Sequence, residues 1–304
     1  MTDLTRRRFL ATSAGTLALA ASGFRKTVHA AETIEPPAQV DIGKTGIRMS
    51  RVGQGTGMYG GNRQSNHTRL GFEKLVALLR HSYERGITFF DLADLYGSHV
   101  YFREALRSIP RDKVAILTKI WWRYDGSAEP AAPEYMKNVA RVTIDRFCHE
   151  IATDHLDFVL LHCLTTPKWT EQLEPYMAAL DDAKKRGQVR AVGVSCHNLE
   201  AVDVAASSPW VDVILARLNP FGAKMDGSVE DVVQVLTKAR KNGKAILGMK
   251  IYGEGTLVDK KEECIKYAQE NRMLDAMTIG AESTEQMDET LSLISKYPQA
   301  ELVS

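Results

Sequence analysis

The chain alternates between short apolar runs and longer stretches in which apolar residues recur every three or four positions. The short runs read as strands at 51–57, 88–93, 114–120, 157–162, 190–195, 211–219, 245–249 and 276–279. Residues 158–161 are continuously apolar, as a strand buried on both faces should be. The stretches between them carry helical stripes. Leu75, Leu78, Leu79 and Tyr83 run to Gly86; Phe102, Ala105 and Leu106 follow the second strand; Met136, Ala140, Thr143, Phe147 and Ile151 follow the third. Leu173, Tyr176, Met177, Leu180 and Ala183 stop at Gly187, and a short helix starts near Leu199. Val232, Val233, Leu236 and Ala239 are stopped by Asn242-Gly243; Ile265, Tyr267 and Ala268, then Met287, Leu291 and Ile294, mark the last two helices. Ahead of the first strand, residues 40–51 place Gly43-Lys44-Thr45-Gly46 between short alternating runs, a hairpin pattern.

Strands and helices alternating eight times with short connections predict an α/β fold: a (β/α)8 TIM barrel with a short N-terminal β-hairpin, one domain over residues 31–304. An open doubly wound sheet is the competing arrangement.

Residues 1–30 are of another kind. Arg6-Arg7-Arg8-Phe9-Leu10 precedes a small apolar run to Phe24, and Val28-His29-Ala30 forms a small-residue cleavage pattern. The run is too short for a stable membrane span, and the order of features is that of a signal peptide. The paired arginines resemble a Tat export signal, which implies engagement of the Tat machinery and a periplasmic or otherwise exported location. Removal after Ala30 would take five basic residues and one acidic, leaving 34 basic against 37 acidic, a net charge of about −3. Such a surface offers no footprint for nucleic acid. Cys148, Cys163, Cys196 and Cys264 show neither pairing nor metal-ligand spacing, so free thiols and no metal are expected.

In a barrel of this kind the functional rim lies at the C-terminal ends of the strands. Asp91 closes the second strand, Lys119 the third and His162 the fourth, with Tyr96 in the loop after Asp91. A lone Asp there is usually a cap and a lone His a satisfied core residue; four such groups in neighbouring sectors form a cluster. A tyrosine has a reference pKa of about 10. A neighbouring lysine cation is expected to lower that value, a carboxylate to hold the lysine, and a histidine to orient a substrate oxygen. The set suits protonation of an oxygen on which negative charge builds.

Asp91-Leu-Ala-Asp-Leu-Tyr96-Gly97, Leu117-Thr118-Lys119 and Leu160-Leu161-His162 resemble the catalytic segments of the aldo-keto reductase superfamily, over residues 40–293. The resemblance implies reduction of an aldehyde or ketone, or oxidation of the alcohol, with an extended nicotinamide dinucleotide. It makes Tyr96 the proton donor, tuned by Lys119 and Asp91, with His162 orienting the carbonyl. It also implies cofactor contacts at Gly55 and Thr56, at Ser195 and Cys196, along Lys250, Ile251, Tyr252 and Gly253, and at Glu282, Ser283, Gln286 and Glu289. Trp121 matches a position where the family often has a pocket aromatic; Met58, Trp122 and Tyr124 are expected to line the same apolar cleft, with packing on the barrel's outside the equal alternative for Trp122 and Tyr124.

Departures from the family pattern concern the cofactor. Cys196 and Leu215 stand where carboxamide-bearing Asn and Gln are usual. Family habit favours NADP(H); Glu282, with no arginine close in sequence, favours NAD(H), since a carboxylate repels a 2′-phosphate but accepts a ribose hydroxyl. Arg217 and Asn219 face substrate, cofactor or an ion-pair partner. Little chain follows the last helix, so an open pocket is expected. Two other readings stay open: a dinucleotide-binding sensor barrel with little turnover, and a barrel isomerase or lyase using Lys119 and His162.

Overall fold

A computed structural model describes residues 34–123 and 131–302. The signal-type segment, Tyr124 and Ser304 lie outside the described residues. Two short antiparallel strands come first, β1 (Gln39–Asp41) and β2 (Arg48–Ser50), joined through Gly43 and Gly46, both at positive φ. The close approach of Gly43 to Ala245 leaves no room for a side chain there.

Eight parallel strands then close into a barrel among the described residues. They are β3 (Val52–Gly55), β4 (Phe89–Asp91), β5 (Ala115–Ile120), β6 (Leu156–Leu164), β7 (Val189–Cys196), β8 (Val213–Arg217), β9 (Ala245–Met249) and β10 (Ala276–Ile279), with β10 returning to β3. The outer layer contains α2 (Phe72–Glu84), α3 (His99–Ala105), α4 (Pro133–Ile151), α6 (Glu174–Lys185), α7 (Leu199–Ser207), α8 (Val229–Lys241), α9 (Lys261–Glu270) and α10 (Thr284–Lys296). Two single-turn helices, α1 (Asn66–Arg69) and α5 (Trp169–Gln172), were not legible from periodicity, because four residues cannot display a repeat.

Successive strand residues face opposite sides, and this splits the apolar residues into two cores. Phe89, Leu117, Phe158, Leu160, Ala191, Val213, Leu215 and Leu247 fill the barrel interior. Ile42, Ile47 and Met49 of the hairpin join that cluster. They enter from the N-terminal end of the strands, where Gly43 N–H donates to Asp275 and Arg190 donates to the Gly46 carbonyl. Ile116, Val159, Val192, Val194, Ile214 and Ile246 point outward, against the helices. One irregularity matters for the site: the register of β6 on β7 shifts between Leu161 and Leu164, and within that bulge Cys163 adopts φ +59°.

Candidate active site

The two-residue strand period carries three of the predicted groups to the rim. Lys119 follows Leu117, and His162 follows Phe158 and Leu160, on the inward face. Asp91 follows Phe89 at the end of β4. After Asp91 the buried Leu92 and Ala93 lead into a 3-10 turn, Asp94–Tyr96, ended by Gly97 at φ +66°. This turn folds Tyr96 back over the barrel mouth. Its ring is sandwiched by the loop after β3, where a Cβ on Gly57 or Gly60 would overlap it.

Lys119 donates to Asp91 Oδ1, and to the Leu92 carbonyl at 2.9 Å. Its Nζ lies 4.7 Å from the Tyr96 ring centroid. Tyr96 Oη is 3.5 Å from His162 Nε2, with the rings 5.6 Å apart and nearly perpendicular. Asp91, Tyr96, Lys119 and His162 therefore do converge.

The electrostatics correct one expectation. Burial, reinforced by the Asp91 carboxylate, pushes the Tyr96 phenol well above its ordinary range rather than below it. The Lys119 charge is spent on Asp91 and the Leu92 carbonyl, and burial lowers Lys119 itself. His162 is driven well below its ordinary value by burial and by the cations Lys119 and Lys250, with His197 adding to the effect. The mouth thus holds a phenol that keeps its proton and an imidazole that stays neutral. That is a donor pair for a developing oxyanion.

A cleft open to solvent runs beside Tyr96 and Asp91. Gly55, Gly57, Met58, Lys250, Tyr252, Glu254, Gly255, Thr278 and Gly280 are among the residues that line it. Four of these are glycines, so long parts of the wall carry no side chain and leave backbone facing the space. Thr278 Oγ1 is a buried hydroxyl without a hydrogen-bond partner. Bare backbone, an unused hydroxyl and the Lys250 ammonium fit a flat, polar, anionic group such as a dinucleotide. Gly57, Thr278 and Glu254 were not singled out from the sequence. Period-two alternation on β10 could have marked Thr278, since Ala276 faces the interior.

The remaining predicted contacts separate. Lys250 has φ +53° and pairs with Glu254 at 3.3 Å; Ile251 is buried under the cleft wall and Gly253 sits at φ +55°. The Tyr252 hydroxyl lies 3.4 Å from Thr290 Oγ1. Thr56 turns its hydroxyl to the Asp91 carbonyl and Ser98. Ser195 accepts from the Cys163 backbone N–H at 3.1 Å. The Cys196 side chain, by contrast, points into the outer core against the helices, away from the rim. Leu215 pairs in register with Ser195 and faces the apolar interior.

Ser283 caps α10, accepting from Gln286 N–H, while Gln286 Oε1 accepts from Glu282 N–H. Glu289 is engaged by Lys261 at 2.6 Å. Glu282 accepts from Asn66 Nδ2 at 2.9 Å, and Asn66 in turn accepts from Arg69. The arginine absent near Glu282 in sequence is thus present in space, one residue removed. Met58 lines the cleft and Trp121 packs edge-on to His162, ring centroids 6.1 Å apart. Trp122 is half-buried against the outer core and donates to the His162 carbonyl at 2.9 Å. It therefore steadies the His162 backbone. Arg217 lies 3.4 Å from Asp226, the ion-pair outcome; Asn219 pins its own loop through the Ala223 carbonyl and N–H.

The profile of the Aldo/keto reductase family matches residues 51–300, all of the barrel strands included. The chain belongs to the aldo/keto reductase family. Relatives include the NADH-specific methylglyoxal reductase of Escherichia coli (strain K12), 24% identical over 220 residues that cover 67% of this chain and 64% of the relative. An aldo-keto reductase of Bacillus subtilis (strain 168) is 27% identical over 199 residues, 62% of this chain and 56% of the relative. The chain thus spans less than two thirds of the length of these curated relatives. Among solved structures, a putative aldo-keto reductase from Pseudomonas aeruginosa matches with a TM-score of 0.69 at 19% identity, over 88% of this chain and 98% of that one. An aldo-keto reductase from Bacillus halodurans matches with a TM-score of 0.65 at 16% identity, over 87% and 93%. At such identities the structural likeness speaks for the fold of this aldo/keto reductase.

Proposed function

We propose that this aldo/keto reductase is an NAD(P)-dependent oxidoreductase that reduces a small aldehyde or ketone and, in reverse, oxidises the alcohol. The observation that carries the reading is the convergence of Tyr96, Lys119, Asp91 and His162 beside a glycine-walled cleft. Gly55, Gly57, Gly255, Gly280 and Thr278 would hold the dinucleotide's flat parts, and Lys250 its phosphates. When bound, the dinucleotide supplies or accepts the hydride. Neutral His162 orients the carbonyl oxygen through Nε2, and Tyr96 delivers its hydroxyl proton to that oxygen as charge grows there. Lys119, fixed by Asp91, places a positive charge beside the ring as the phenol gives up its proton. Trp121 packs against the imidazole and helps hold its orientation.

Purified protein is expected to quench its own tryptophan fluorescence with NAD(P)H and to turn over a panel of small carbonyls, 2-oxoaldehydes among them. No dinucleotide binding at any concentration would reject the reading and favour an isomerase or lyase. Binding without turnover would favour a sensor, the reading that Leu215 supports by removing a carboxamide partner beside Ser195.

NAD(H) is the proposed cofactor. Glu282, two residues beyond the cleft-lining Gly280, supports it, as does the NADH-specific E. coli relative. NADH is expected to bind more tightly than NADPH. Glu282→Ala is expected to narrow the ratio about tenfold, the scale of one lost charge interaction. Fluorescence titration of both nucleotides measures this, and a parent that prefers NADPH would assign Glu282 another role.

The paired arginines, apolar run and cleavage pattern of residues 1–30 support export by the Tat route. Outside the cytoplasm no pool of reduced nicotinamide is at hand, so the dinucleotide would travel bound and be recycled by paired substrates. Mass spectrometry of the mature protein's extract tests this; empty protein with only weak binding would argue against it.

A further inference from the structure

Behind the Tyr96 turn lies a polar network that the proton-transfer step does not use. Asp94, two residues before Tyr96 and fully buried, accepts from Arg146 of α4 at 2.9 and 2.6 Å. Glu150 of the same helix accepts from Arg146 at 2.9 Å and lies 2.8 Å from His99 Nδ1. His99 Nε2 lies 2.8 Å from Thr118 Oγ1, the residue before Lys119. The network thus joins the tyrosine turn, the lysine strand and α4 into one piece.

Arg63 ties this piece to the loop that walls the cleft. Arg63 stands in the loop after β3 and is 45% exposed at its side chain. It reaches Asp94 at 3.0 Å and Glu150 at 2.7 Å. Its carbonyl packs so tightly on Gly97 that a Cβ there would overlap it. The same loop supplies Gly57 and Gly60 to the faces of Tyr96 and Met58 to the cleft wall. Its Tyr59 hydroxyl crosses the cleft to the Glu254 carbonyl at 3.4 Å. Tyr59, Asn62 and Arg63 all hold positive φ, a conformation that only surrounding contacts keep in place.

We infer that Arg63 is a positioning residue: it latches the loop that walls the cleft to the turn that aims Tyr96, so that cofactor seating and alignment of the proton donor are set together. The inference rests on the carbonyl-reductase reading above. Asp94 and Glu150 keep Arg146 and His99 as partners when the latch is cut, which leaves the fold supported while the loop is released.

The test compares the parent, Arg63→Met and Arg63→Lys in steady-state kinetics, dinucleotide titration and solvent isotope effect. Parent protein that binds NADH and reduces a carbonyl establishes the underlying reading; parent protein without either overturns it. With an active parent, Arg63→Met is expected to lose between about 10- and 100-fold in kcat, the scale of a slightly misplaced reacting group. Its solvent isotope effect should rise as proton delivery becomes limiting, and dinucleotide affinity should fall at the same time. Arg63→Lys, which keeps one charge for Asp94, should recover part of both. If kcat, isotope effect and affinity stay at parental values while only the thermal midpoint drops, Arg63 is a stabilising contact and the inference fails. If Arg63→Met does not fold, Arg63→Lys carries the same comparison, and parental kinetics in it overturn the latch.

Discussion

Tyr96→Phe is expected to lower the rate of carbonyl reduction by about 10² to 10⁴, the usual contribution of a positioned proton donor, with little change in thermal midpoint. The ring and its contacts with Gly57 and Gly60 remain, and the hydroxyl lost makes only a long 3.5 Å contact with His162. Dinucleotide binding should survive, because the variant keeps the ring and leaves the glycine-lined wall unchanged. The raised phenol and depressed imidazole add a pH signature. Reduction should run without inflection through the ordinary histidine range near 6.5, both groups keeping their forms. Alcohol oxidation needs the phenol to have lost its proton, so it should climb into alkaline solution. A variant retaining a tenth or more of parental kcat would show that another group delivers the proton.

Acid is expected to unfold the protein steeply. His67, His99 and His162 are held below the ordinary value of 6.5, chiefly by burial, and burial with Arg217 and Lys250 nearby brings His197 down to about 3. Below pH 6.5 the unfolded chain takes up protons that the folded chain refuses, so stability falls as pH falls. Each such group contributes up to about 1.4 kcal/mol per pH unit in that window, and the half-exposed His197 less. Glu150, held at about 2 by bonds from His99, Arg63 and Arg146, adds in the same direction below its ordinary 4.5. The histidines act from pH 6.5 downward and Glu150 only in stronger acid, so the decline should continue in two overlapping stages. Thermal midpoints from pH 8 to 5 check this, and a flat line across that range would contradict it.

Hydrophobic periodicity sufficed for the barrel because each strand's apolar run and each helical stripe was long enough to show its repeat. Tyr96, Lys119 and His162 were legible as chemistry at strand ends. The Cys196 placement was also within reach: neighbours on a strand face opposite ways, so Ser195 at the rim requires Cys196 in the outer core. Other features needed three dimensions. The loop latch joins Arg63 to Asp94 and Glu150 across 31 and 87 positions, separations in which no local pattern survives. The direction of the Tyr96 shift was misjudged for a related reason. A nearby lysine can be inferred from spacing, but the depth of burial that outweighs it, and the two acceptors that occupy it, cannot.

The hairpin that stoppers the barrel gives the molecule an up and a down. Ile42, Ile47 and Met49 plug the floor, while Tyr96 and the cleft open at the ceiling. The described chain enters at that floor, where Pro36 packs against Gly86 just ahead of β4. A carrier domain, bead or electrode surface coupled through that end would present every mouth outward. Immobilised this way, the protein should bind dinucleotide as it does free in solution, whereas coupling through surface lysines would tether some copies through Lys250 and close their clefts.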